Sequence, residues 1–317
     1  MKAIILNEAG GPENLIVTEL PMPVLKEGEV LVKVKAISIN PVDIKTRKGL
    51  ALYNTLKEDA PVVLGWDIAG EVVEVGEGVT TLEEGDEVFG MVNFPGHGRA
   101  YAEYVAAPAI HLAERAELIT AQEAVAGTLA ALTAWQVLID QANVQPGERV
   151  LIHAAAGGVG HYAVQIAKYL GAFVIGTASD ANYDFVKELG ADEFVDYTQG
   201  LFEDSIKDVD VVFDTVGGLN PLRSLDTLKE GGRLVAIAGG ITDELKQLAE
   251  RKNIKATAYL VHSNGDDMEQ IAELLEAGTL KSHVFKEYSF DQIAEAHKQV
   301  ETGKTRGKVV VVVSDEE

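Results

Sequence analysis

The segment from Val150 to Ala167 constrains the fold more than any other. Val150-Leu151-Ile152-His153 reads as a fully buried strand, Ala154 to Gly160 is a turn of small residues, and the chain continues from His161 as a helix. A strand that leaves a small-residue turn as a helix suits a pyrophosphate. The backbone can approach the phosphates closely, and the helix N-terminus carries a partial positive charge. Set against the pattern G-x-G-x-x-G, Ala155 takes the first glycine place, and Gly157 and Gly160 hold the other two around Gly158 and Val159. That pattern alone is weak evidence. Its weight comes from the alternation that follows: strands at 173–177, 193–197, 209–214 and 233–238, with helices at 160–170 and 181–189. Such alternation specifies βαβ units and predicts an α/β fold with a doubly wound parallel sheet.

The end of the second strand bears on which dinucleotide binds. An acid about 20 residues past the turn would accept from the ribose 2′-hydroxyl and repel a 2′-phosphate. Here Ala178 and Ser179 occupy that region, and a hydroxyl beside a small residue suits a phosphate. Asp180 is close by and is expected to cap a helix beginning at 181. We therefore expect NADPH rather than NADH, although no basic residue adjoins Ser179.

Before residue 114 the chain alternates with period two, notably at 30–34 and 70–76, which predicts a mostly β region. A long loop is expected over 45–64, and one long Ala-rich helix over 120–142, opened by a capping box at Thr120 and Glu123. The last strand, 308–313, resembles the first region more than another βαβ unit. At about 150 residues per domain, 317 residues suggest two. The chain has no cysteine, which excludes disulfides, thiolate nucleophiles and sulfur-bound zinc. Its formal net charge is −23, from 27 basic and 50 acidic residues. That balance disfavours nucleic acid and anionic membrane surfaces as partners. With no long apolar span and only a short apolar run at the start, a cytoplasmic location is expected.

Several blocks in order carry a family resemblance: Asn40-Pro41-Val42-Asp43, Leu64-Gly65-Trp66-Asp67-Ile68-Ala69-Gly70, Gly85-Asp86-Glu87-Val88-Phe89-Gly90, Ala100-Tyr101-Ala102-Glu103-Tyr104, Leu132-Thr133-Ala134-Trp135, the glycine turn, and Arg306-Gly307-Lys308-Val309-Val310. Over essentially its whole length the chain resembles the zinc-free quinone oxidoreductase branch of the medium-chain dehydrogenase/reductase superfamily. The resemblance implies a GroES-like catalytic domain built from both chain ends (1–122 and 265–317) around a Rossmann NADP-binding domain (123–264). In zinc-dependent relatives the positions of Asn40 and Trp66 carry Cys and His ligands, so a metal-free enzyme is implied. Without a Lewis acid, conjugated acceptors are favoured over simple alcohols and ketones. The implied activity is hydride transfer from NADPH to a quinone or α,β-unsaturated carbonyl. The alternative is a low-turnover NADPH-binding sensor or crystallin-like structural protein.

The resemblance assigns Gly157, Gly158, Val159 and Gly160 to the pyrophosphate, and Ser179 and Tyr197 to the adenosine 2′-phosphate. Asn40 and Thr133 fall to the nicotinamide side, with Val216, Gly239 and Arg306 nearby. Among the remaining candidates, Lys45 reads as a residue that positions the nicotinamide ribose or donates to the substrate oxygen, the alternative being a solvated lysine, and Tyr53 as a proton donor, the alternative being a wall residue. Asp43 is expected to orient its loop, and Trp66 and Phe94 to line an apolar substrate slot or simply fill the core. Tyr101 reads as strand packing and His153 as a packed histidine. A homodimer is expected through an edge strand at 254–261.

Overall fold

The computed structural model describes residues 1–314. The chain packs as two compact units, Thr133–Leu260 and, on either side of it in sequence, Met1–Leu132 with the chain from Val261 onward.

The second unit contains a six-stranded sheet. Its strands are β1 (Arg149–Ile152), β2 (Phe173–Ala178), β3 (Glu193–Asp196), β4 (Val209–Asp214), β5 (Leu228–Ala236) and β6 (Lys255–Ala258). They lie in the order β3-β2-β1-β4-β5-β6, and every neighbouring pair is parallel. The chain winds outward from β1 to β3, then crosses to β4 and winds the other way. In such sheets ligands sit beyond the carboxyl ends of the strands, at the point where the order reverses. Leu151, Ile175, Val212 and Leu234, one from each central strand, are fully buried with Phe202, Leu225 and Leu245. These near-continuous apolar strands are what a sheet covered on both faces requires.

In the first unit a seven-stranded sheet is built around the long strand Glu29–Ile39. Asp67–Val75 and Tyr104–Pro108 pair with it antiparallel, and so does the returning strand Lys308–Val312. The expected kinship between the last strand and the first region is thus a hydrogen-bonded ladder, with Val310 opposite Ser38.

Several expectations need correction. The expected loop over 45–64 contains helical structure, because Pro41–Arg47 is a capped helix and Tyr53–Leu56 a further turn. The long helix over 120–142 is interrupted. Thr120 and Glu123 do form the capping box of Ala121–Ala126, but the next helix starts only at Leu129, and beyond Gln136 it continues as a π-helical segment, Val137–Gln141. At the break the Thr128 hydroxyl donates back to the Val125 carbonyl, a local bond that competes with the helix ladder. The expected domain boundary at 122/123 falls inside Ala121–Ala126, a helix that packs on the first unit's sheet. The edge strand expected over 254–261 is only four residues long.

Candidate cofactor and active site

The turn after β1 has the shape that its small residues allow. Ala154 adopts φ +50°, and the Gly157 N–H donates to the Ala154 carbonyl at 2.8 Å. A Cβ on Gly160 would lie 2.1 Å from that carbonyl oxygen, so only glycine fits where the helix Gly160–Tyr169 begins. Ala155 is tolerated in the first glycine place because its neighbour on β2 is Gly176, where an added Cβ would come within 3.0 Å of the Ala155 methyl. Gly157, Gly158 and Val159 remain partly exposed at the helix N-terminus. A close-approach backbone with a helix dipole behind it fits the pyrophosphate of a dinucleotide.

The other strand ends converge on the same edge of this sheet. Asp196 on β3 pairs with Ala178 on β2, and the Tyr197 N–H donates to the Ala178 carbonyl, so Tyr197 and Ser179 are neighbours. Tyr197 is 55% exposed. The cap expected at Asp180 falls instead to Asn182, the N-cap of the α-helix that follows. Ser179 is the N-cap of a short 3-10 turn, Asp180–Asn182, and the α-helix starts at Tyr183. The Ser179 hydroxyl also accepts from Asn182 Nδ2 at 3.1 Å. Beyond β4, the Asp214 carboxylate accepts from the Gly217 N–H and from Asn220 Nδ2, which shapes the loop that presents Val216. Gly239 follows β5 with φ +80°, next to Gly217 and Gly218. Thr133 is buried in Leu129–Gln136. His153 is packed as expected: its ring nitrogens contact the Thr177 and Ser224 hydroxyls, and burial above all lowers its pKa to about 3.

In the first unit, Asn40 is the N-cap of Pro41–Arg47, and its N–H donates to Asp43 Oδ2 at 2.6 Å. Its side chain belongs to a second, buried group. Asn40 Nδ2 donates to Asp67 Oδ2 at 2.6 Å, and Lys308 Nζ donates to Asn40 Oδ1 and, at 3.2 Å, to the Ile39 carbonyl. Asp67 also accepts from the Ser38 hydroxyl and the Leu129 N–H, with Lys308 Nζ 3.9 Å away. Asp43 is fully buried. Desolvation, reinforced by the Asp67 charge and opposed by the Asn40 N–H and by Lys308, raises its pKa to about 8.

Behind Asp43 lies a further buried chain. Arg47 contacts His297 Nδ1, and His297 Nε2 contacts the Tyr101 hydroxyl at 2.9 Å. Arginine only donates, so His297 Nδ1 accepts and Nε2 carries the hydrogen. Burial and the nearby Arg47 push this histidine down to about 3. Glu301 closes the chain at the surface, paired with Arg47 and Lys48. Tyr101 is therefore a buried polar residue outside the strands, not strand packing.

The structure does not bring every candidate into this group. Lys45 is exposed on its helix, and Tyr53 lies half-buried beneath Lys57. Trp66 and Phe94 are core residues in edge-to-face contact at 5.2 Å, with the indole N–H donating to the Gly96 carbonyl. Arg306 is half-buried in the turn before Lys308–Val312. Asp67 and Lys308 were not singled out from sequence. The available signal was a lysine opening an otherwise apolar strand and an acid inside the apolar run Leu64 to Gly70. Among the described residues, no group of three or more His, Cys, Asp or Glu is placed to hold a metal ion.

A parallel sheet of this order, with a glycine turn at its reversal point and a β-rich unit made from both chain ends, defines the nicotinamide-dependent dehydrogenases and reductases that share this two-part plan. Residues 26–117 match the alcohol dehydrogenase GroES-like domain, and residues 189–311 match the zinc-binding dehydrogenase family. The chain belongs to the quinone-oxidoreductase-like branch of the medium-chain dehydrogenase/reductase superfamily. It is 34% identical to the 2-methylene-furan-3-one reductase of Solanum lycopersicum over 98% of this chain and 79% of the relative. The NADPH-dependent alkenal/one oxidoreductase of Arabidopsis thaliana is similar to the same extent, 34% over 98% of this chain and 79% of its own. Among solved structures, the quinone oxidoreductase from Coxiella burnetii superposes with a TM-score of 0.94 at 38% identity, covering 99% of each chain.

Proposed function

We propose that this chain is an NADPH-dependent reductase of quinones and α,β-unsaturated carbonyls that works without a metal. The observation that carries this reading is the convergence of the glycine turn, Ser179, Tyr197, Val216 and Gly239 on the carboxyl ends of β1 to β5, in a chain whose relatives include quinone and alkenal/one oxidoreductases.

The bound dinucleotide supplies a hydride from nicotinamide C4. The residues of this chain hold and shield it. Gly157 to Gly160 receive the pyrophosphate. Ser179 and Tyr197 receive the adenosine 2′-phosphate, which supports NADPH over NADH. By the family resemblance, the nicotinamide end falls to Thr133, Val216 and Gly239 of the second unit and to Asn40 and Arg306 of the first. As a C–H bond forms at the β-carbon, the acceptor's π electrons move to its oxygen, so donors aimed at that oxygen lower the barrier. Asn40 is the first such donor. Lys45 and Tyr53 stand as candidates to help, and a proton from Tyr53 or water completes the product.

The test is loss of NADPH absorbance on mixing the purified protein with small quinones and enones, with and without a chelator. Acceptor-dependent, chelator-insensitive turnover is expected, with kcat/KM at least about tenfold higher for NADPH than for NADH. No turnover with any acceptor would overturn the reading. We also propose a homodimer formed through β6, which among the described residues pairs with β5 alone and so stands at the edge of the sheet. Sedimentation as a monomer at micromolar concentration would refute it.

A further inference from the structure

We infer that the buried Lys308–Asp67 pair is a clamp that fixes the flip state of the Asn40 amide, so that its nitrogen, not its oxygen, is offered to the reacting acceptor. Lys308 and Asp67 are then positioning residues for hydride transfer. This rests on the reading that Asn40 lies at the nicotinamide side.

The two flip states of an asparagine amide have nearly the same shape. Without anchors, a buried amide could offer either a donor or an acceptor to a ligand. Here the anchors leave one choice. Lys308 Nζ can only donate, and it holds Asn40 Oδ1. Asp67, when ionised, can only accept, and it holds Asn40 Nδ2. A flipped amide would set nitrogen against ammonium and oxygen against carboxylate. Both anchors are themselves fixed: Lys308 by the Ile39 carbonyl, and Asp67 by the Ser38 hydroxyl and the Leu129 N–H. An amide nitrogen carries two hydrogens and Asp67 takes one, so the other is the donor assigned to the acceptor oxygen. Donation from the lysine to Oδ1 also polarises the amide and makes that remaining N–H a stronger donor.

Stability does not account for this arrangement. Lys308 is 3% exposed and Asp67 is 1% exposed. Buried ion pairs of this kind are often no more stable than an apolar pair of similar size. Lys308 opens a strand whose next three residues are fully buried valines. Its value therefore lies in what it orients.

The experiment compares Asn40→Ala, Lys308→Met, Lys308→Arg and the double variant Asn40→Ala/Lys308→Met with wild type. Should Lys308→Met fail to fold, Lys308→Met/Asp67→Asn takes its place, since it removes both buried charges together. Thermal melting reports the fold, and fluorescence titration gives the NADPH Kd. The Asn40 side-chain NH2 resonances report the amide directly, and kcat, KM and the deuterium isotope effect on hydride transfer report the chemistry. For Lys308→Met we expect a kcat about tenfold lower, a larger isotope effect, an NADPH Kd changed by less than about threefold, and exchange broadening of the Asn40 NH2 pair. Lys308→Arg should recover most of the rate. The double variant should be no slower than Asn40→Ala, because Lys308 acts only through Asn40. Additive losses, or an unaltered NH2 pair in a folded Lys308→Met protein, would overturn the clamp. An Asn40→Ala protein with wild-type kcat and NADPH Kd would instead overturn the placement of Asn40 at the nicotinamide.

Discussion

Asp43 shows how burial turns one side chain into a pH-dependent feature. Its carboxyl group accepts the Asn40 N–H, yet it is fully desolvated, and its pKa rises from 3.8 to about 8. Between those values the folded state keeps a proton that the unfolded chain releases. The stability tied to Asp43 is therefore fully present below about pH 4 and is lost as pH rises toward 8. His153 and His297 work in the opposite sense. With folded pKa values lowered from 6.5 to about 3, each contributes stability above pH 6.5 that is lost as pH falls toward 3. Asp43→Asn preserves the acceptor for the Asn40 N–H. The expected outcome is a urea midpoint that no longer declines between pH 6 and 8 as steeply as in wild type, measured by Trp fluorescence. An unchanged slope would mean that Asp43 titrates normally. At this scale Asn40 could be recognised because a contiguous motif surrounds it. Asp67 and Lys308 also lie in contiguous blocks, but their partnership could not be read, since it exists only once distant strands pair.

The strand, glycine turn and helix around Gly160 could be read from local sequence because their causes are local: a buried apolar run, residues without bulk, and a helix that begins where the turn ends. The test at this scale is Gly160→Ala. The added methyl would meet the Ala154 carbonyl at 2.1 Å and the Ala155 Cα at 2.9 Å, both of them backbone atoms that cannot swing aside. Overpacking of this kind costs about 1–3 kcal/mol. The substitution should lower the urea midpoint accordingly and weaken NADPH binding by at least about tenfold, since the turn must open to accommodate it. Native affinity would show that the turn does not hold the pyrophosphate. Elements set by competing local bonds were harder to read. The helix Pro41–Arg47 has only seven residues and draws on its Asn40–Asp43 capping box. At the break after Gly127, the Thr128 hydroxyl returns to the Val125 carbonyl and Asp67 accepts the Leu129 N–H. Periodicity detects neither, because each turns on individual side chains.

At the scale of the whole molecule, the defining feature is that the chain leaves the first unit and returns to it. The returning strand Lys308–Val312 is not added at the rim. It lies between Val284–Ser289 and Glu29–Ile39 and pairs with both. Val309, Val310 and Val311 are fully buried. The run of valines after Lys308 hinted at this interior position, and the strand's likeness to the first region pointed to the unit it would join, but neither its partners nor its register could be read, because pairing across most of the chain leaves no periodic trace. Two substitutions separate interior from edge. Val310→Asp would bury a carboxylate on an interior strand of the sheet with no partner, a change that costs upwards of about 4 kcal/mol and should unfold the first unit or leave the protein insoluble. Phe285→Asp lies on the outer strand, where the side chain is 43% exposed. It should move stability by less than about 1 kcal/mol. Trp66, fully buried in the first unit, supplies the readout in a Trp135→Phe background. Red-shifted emission is expected from Val310→Asp and native emission from Phe285→Asp. Equal tolerance of both would mean that the first unit folds without its C-terminal strand.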